Sequence, residues 1–167
     1  MHTDDLHRSL ASLFTELVHG VPKGTPAFTL NPGDAGLLTS LDQLSADTAS
    51  RSTNGGATIA AHVNHLRYGL SLMNRWAGGE ANPFADADWS VAWRTTAVDP
   101  NEWAELRGGL RKEVEQWLEA LRSTREVRGI ELDGVIGVVI HLAYHLGAIR
   151  QIAAESRGPR AQPGTAT

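Results

Sequence analysis

The chain contains no cysteine. That excludes disulfides, thiolate metal ligands and a cysteine nucleophile, and it fits a cytoplasmic location. Lysine occurs only at Lys23 and Lys112, and no block of Lys and Arg is found anywhere in the 167 residues. With 15 basic against 19 acidic residues and a net charge of −4, there is no basic stripe for nucleic acid, which is not an expected partner. The first ten residues, MHTDDLHRSL, lack the basic start and apolar core of a signal peptide. The longest apolar stretch, residues 134–149, is interrupted by His141 and His145. It falls short of the roughly 20 residues of a membrane span, so it predicts a buried helix and no membrane partner. Period-2 strands, internal repeats, H-E-x-x-H, a phosphate-cradling glycine loop and G-x-S-x-G are all missing.

The punctuation that is present is helical. Thr3 or Asp4 caps a first helix whose apolar residues Leu6, Leu10, Leu13, Phe14, Leu17 and Val18 keep helical spacing, and Gly20 with Pro22 stops it. Asn31-Pro32 reads as a cap followed by proline at the first helical position, opening a short helix through Leu44. The stretch SADTAS holds one further turn. Thr58 caps a second long helix striped by Ile59, Val63, Leu66, Leu70, Met73 and Ala77, which ends at Gly78-Gly79. A long connection rich in Trp and Asp follows. Asp99, Pro100 and Glu102 then form a capping box, and Trp103, Leu106, Leu110, Val114, Trp117 and Leu121 give that helix its inner face. Asp133 caps the last helix and Gly158-Pro159 terminates it. The pattern predicts an all-α, four-helix bundle with an extra short helix and long crossing loops, spanning residues 1–158 as one domain. Residues 159–167 read as a disordered tail. Because the last helix is apolar on nearly every side, it is expected to be the most buried.

His141 and His145 lie one turn apart, so both rings project from one face and can converge on one ion. Two core histidines bonded to backbone or water give the same spacing. Gly134, Gly137 and Ala148 on that face either leave room near the rings or let a neighbouring helix approach. The second long helix adds His62 and His65. One histidine from it plus two from the last helix would supply the three ligands of an open zinc-type site across a bundle core. The helical wheel favours His62, with His65 roughly 60–70° to one side. Glu16 and His19 match half of a di-iron pattern, but the second half is missing, and a histidine suits a helix C-terminus anyway. Trp89 and Trp93 are candidates to line a pocket or an interface. Arg67 and Arg150 are candidates to hold a carboxylate, or are solvated charges.

TIAAHVNHL in the second long helix and VVIHLAYHLGAIRQI in the last resemble the paired motifs of the DinB/YfiT-like four-helix-bundle family, and the likeness covers about residues 4–157. The resemblance implies a divalent metal, zinc or nickel, held by three histidines. In the family the first ligand stands seven residues after a Ser/Thr at the helix start and precedes an aliphatic residue. Thr58 plus seven is His65, followed by Leu66, so the ligand set it implies is His65, His141 and His145, with His62 as the fallback. The family's last motif often continues His-x-Gly-Gln; here Ala148 replaces that glutamine, and Gln151 lies three residues later. The resemblance further implies a metal-dependent enzyme acting on a small-molecule substrate. It would be an S-transferase or isomerase using a low-molecular-weight thiol cosubstrate, in a homodimer. A non-catalytic metal-binding stress-response protein and a metal-dependent hydrolase are the alternatives. The sequence offers no dedicated general base.

Overall fold

In the computed structural model of the protein, residues 3–123 and 129–160 are described. They contain seven α-helices and no strand: α1 (Thr3–His19), α2 (Gly36–Asp42), α3 (Ala46–Ala49), α4 (Ile59–Ala77), α5 (Trp89–Ala92), α6 (Pro100–Arg122) and α7 (Ile130–Ile152), followed by a 3₁₀ turn (Ala154–Ser156). The four long helices close on one another in a ring. α6 packs against both α1 and α4, and α7 packs against the same two from the other side. Phe14 of α1, Ile59 of α4, Leu110 and Trp117 of α6, and Leu142 and Ile149 of α7 fill the centre, each essentially inaccessible to solvent.

Local chemistry explains most boundaries. The Thr58 hydroxyl accepts from the Ala61 amide, so α4 starts with a satisfied N-terminus. At α6 the capping box is complete, with Asp99 accepting from Asn101 and Glu102 while Glu102 accepts from the Asp99 amide. The turn expected in SADTAS is α3, capped by Ser45. Three starts differ from expectation, the first being α1, which already includes Thr3 and Asp4, the residues expected to cap it. α2 opens at Gly36 rather than after Pro32; Asn31 donates its side-chain amide to the Pro159 carbonyl (2.7 Å), and the Asp34 carboxylate accepts from the Gly36 amide (2.8 Å). Gly20 and Gly36 (φ +83° and +72°) meet backbone to backbone there; a Cβ on Gly20 would lie 2.0 Å from the Asp34 carbonyl oxygen. α7 begins at Ile130, behind Gly129 at φ +55°, which leaves Asp133 in its first turn rather than at its cap. It also ends earlier, at Ile152. Within the long connection after α4, where the sequence predicts only a loop, α5 forms a single turn. The expected disorder of residues 161–167 lies outside the described residues.

The expectation that the last helix is the most buried does not hold. α4 has 12 buried residues of 19 and α7 has 6 of 23. α4 is covered by α6, α7 and α5, whereas α7 touches α1 and α4 and leaves Ile130, Ile140 and Tyr144 exposed on its outer side. By length and composition α7 is apolar enough to cross a membrane, a test that core helices of soluble proteins also pass. The apolar surplus therefore serves two purposes: one side closes the core, and the other faces out.

Glu16 anchors the first connection. Its carboxylate, 8% exposed, accepts from the amides of Phe28, Thr29 and Leu30 and from the Thr29 hydroxyl. Burial alone would raise its pKa, but these bonds outweigh it and hold the group below the usual carboxylate range. His19, its partner in the half di-iron pattern, is exposed at the end of α1. The two residues thus serve separate ends, and Glu16 acts as the anchor under the loop.

Candidate metal centre

α4 and α7 pack against each other, and four imidazoles meet between them. His65 Nε2 lies 3.0 Å from His141 Nε2, and His145 Nε2 lies 2.9 Å from the same atom. The ligand-capable nitrogens of His65, His141 and His145 all fall within 4.8 Å of one another. At zinc–nitrogen bonds of about 2.0–2.1 Å, tetrahedral ligands stand about 3.3 Å apart, so the two separations from His141 Nε2 need to lengthen by a few tenths of an ångström to hold an ion. No carboxylate joins the cluster among the described residues.

His62 is not part of that trio. Its Nδ1 lies 2.8 Å from His145 Nδ1, on the far side of that ring. Two neutral imidazoles at this distance need one donor. With Nε2 of His145 turned to the cluster as a lone pair, its proton sits on Nδ1 and donates to His62, an assignment drawn from the bonding network. The helical wheel favours His62, but the structure gathers His65 with the α7 pair instead: both α4 histidines are buried, and the wheel ranks burial, not the direction in which a ring points.

Desolvation keeps the rings neutral, the form that offers a lone pair. Burial first, and then repulsion from His141 and His62, lowers His65 to about 4. Burial, with His141, His62 and His65 adding to it, lowers His145 to about 3. Burial also lowers His62 and His141. His65 Nδ1 is buried without a protein partner, so its ring is fixed by stacking instead: Trp93 lies over it at 4.3 Å between centroids and 25° between planes.

Both tryptophans of the long connection are at this site. Trp93 also contacts His62 and His145 edge-on or tilted, and Trp89 packs on His65 and Tyr68. α5 is held over the histidines by the Asn64 side chain, which donates to the Ala92 carbonyl, and by the Tyr68 hydroxyl, which accepts from the Asp88 amide. A cavity of about 410 Å³ opens beside the cluster and reaches His65 and His141. Gly134 permits the close helix approach, since a Cβ there would lie 2.9 Å from the Trp76 ring, whereas Gly137 faces open space. The two arginines are elsewhere engaged. Arg150 pairs with buried Asp34 at 2.7 Å, and Arg67 is exposed and donates to Asn64. Gln151 is exposed as well. No signal in the sequence marked Asn64 or Tyr68 as anchors of α5; the Asp88 cap before Trp89 was the nearest available sign of that turn.

Protein-family models, curated proteins and solved structures were all compared with the chain, and none matches it. The site therefore rests on its own geometry. Three neutral imidazoles, free of competing carboxylates and of cysteine, could hold a divalent metal ion.

Proposed function

We propose that His65, His141 and His145 form the metal centre of a DinB/YfiT-like four-helix bundle, loaded with zinc or nickel. On this reading the protein is a metal-dependent enzyme that uses a low-molecular-weight thiol for S-transfer or isomerisation. One observation carries the reading: three Nε2 atoms from two helices converge where a cavity opens beside two of the rings. The closed ring of four long helices supports the bundle assignment. Three neutral ligands leave the charge of a cation undiminished, and a bound divalent ion would supply Lewis acidity that lowers the pKa of a thiol or water.

The chain's own residues would do the rest. His62 holds the tautomer of His145, Trp93 fixes the His65 ring, and α5 keeps bulk water from that side. The open cavity favours catalysis over a purely metal-binding role, which would be expected to close the site with a fourth protein ligand. With no cysteine in the chain, an added thiol meets no competing sulfur.

The test is metal analysis of the purified protein beside cobalt substitution. Wild type should hold one ion, and His65→Ala, His141→Ala and His145→Ala should each lose most of it. Titration of the cobalt form with a small thiol should give a sulfur-to-cobalt charge-transfer band that is absent in His141→Ala. Full metal retention in all three variants overturns the centre. A cobalt spectrum indifferent to every thiol overturns S-transfer and leaves hydrolysis or simple metal binding.

A further inference from the structure

The cavity beside the histidines has a chemistry of its own. It lies between α4 and α7, is walled by Leu66, Leu70 and Leu142, and is covered by Phe84 and Trp89. Among the described residues no Lys, Arg, Asp or Glu lines it, and the titratable side chains on its wall are His65 and His141. Its volume of about 410 Å³ is within the range of pockets that enclose small molecules, roughly 300–1,000 Å³. A charged ligand would surrender its hydration there without a counter-charge, which is unfavourable.

Gly137 sharpens the point. Glycine inside a helix weakens it relative to alanine, so a mid-helix glycine usually answers a close approach. Gly134 has one, in Trp76. Gly137 has nothing within 4 Å of its Cβ position, and it lines this cavity. Gly69 does so from the facing helix, where a Cβ would meet the Trp89 ring at an ordinary 3.7 Å. The space is thus kept open by two glycines on opposing walls, one of which no neighbour among the described residues requires.

We propose that this cavity binds an uncharged, largely apolar small molecule of two or three fused or linked rings, lying along Gly137 with one end at His65 and His141. As the substrate of the metal centre, such a ligand rests on the function proposed above; its binding does not. The probe is N-phenyl-1-naphthylamine, an uncharged dye that brightens in apolar surroundings, titrated into the zinc-treated full-length protein. Saturable one-to-one binding is expected, weakened about tenfold or more in Gly137→Leu, whose side chain would intrude into the cavity where the ligand lies. Gly147→Ala, at an exposed glycine of the same helix, should bind as wild type does. If Gly137→Leu fails to fold, Gly69→Leu should produce the same loss from the opposite wall. Undiminished binding in a folded Gly137→Leu or Gly69→Leu protein overturns the proposal, as does no saturable binding to wild type. Zinc stoichiometry is read on the same samples: a wild type that binds the dye but no zinc would sink the metal centre and leave this site standing.

Discussion

Replacing His62 by alanine separates a ligand from a residue that orients one. The bond at issue joins His62 Nδ1 to His145 Nδ1 at 2.8 Å. It lies beside a ring that is 2% exposed, so no water readily replaces the lost acceptor. Without it, a proton on His145 Nδ1 is buried and unpaired, at a cost of about 1–3 kcal/mol. The neutral ring would escape by moving that proton to Nε2, the atom the ion needs. Loss of such an orienting partner typically weakens metal affinity about 10–100-fold, or about 1.4–2.7 kcal/mol. The two magnitudes agree because they describe the same unpaired group. Competition titration of zinc against a chelating indicator should therefore show a weaker Kd for His62→Ala but still one ion at saturation. Unchanged affinity would mean that the bond does not set the tautomer. Abolished binding in His62→Ala, with retention in His65→Ala, would reverse the assignment of the two α4 histidines.

Two further outcomes follow from burial. His65 and His145 titrate below the ordinary histidine value of 6.5 when folded, so the unfolded chain binds more protons between that value and about 4. Stability of the metal-free protein is thus fully present above about pH 6.5 and falls as the pH drops toward 4; a urea midpoint that is flat from about pH 7 to about pH 5 would refute this. Glu16→Gln keeps the shape of the loop anchor but removes its charge and places a donor among amides. It should cost about 2–3 kcal/mol by urea denaturation, and a change below about 0.5 kcal/mol would deny the anchor its role.

The parts legible in the sequence were those written in local rules. α4 and α6 could be read from apolar period and caps, because Thr58 and the Asp99–Glu102 box act within one turn of themselves. The start of α2 was not legible. Asn31-Pro32 carries a valid local signature, but the meeting of Gly20 with Gly36 and the pull of Pro159 on Asn31 are contacts between distant segments. α5 was missed because a single turn has no period to detect. α7 was read as a helix, but its burial was misjudged: hydropathy counts apolar residues, not neighbours, and α7 has neighbours on one side only. At the site, the spacing of His141 and His145 fixed a shared face. The choice between His62 and His65 depended on the direction in which two buried rings point, and burial alone says nothing of that.

The four histidines come from only two helices, and His65 stands 76 residues before His141. An ion shared between them would be a removable cross-link closing a long loop that contains all of α5 and α6. The proposed centre would then act on the whole fold as well as on a substrate. Ion held at about a hundred times its Kd would add about 2.7 kcal/mol to the native state by mass action alone. On that account metal supply would set the stability margin of the whole fold, and a chelator should lower the unfolding midpoint of a protein that nevertheless stays folded.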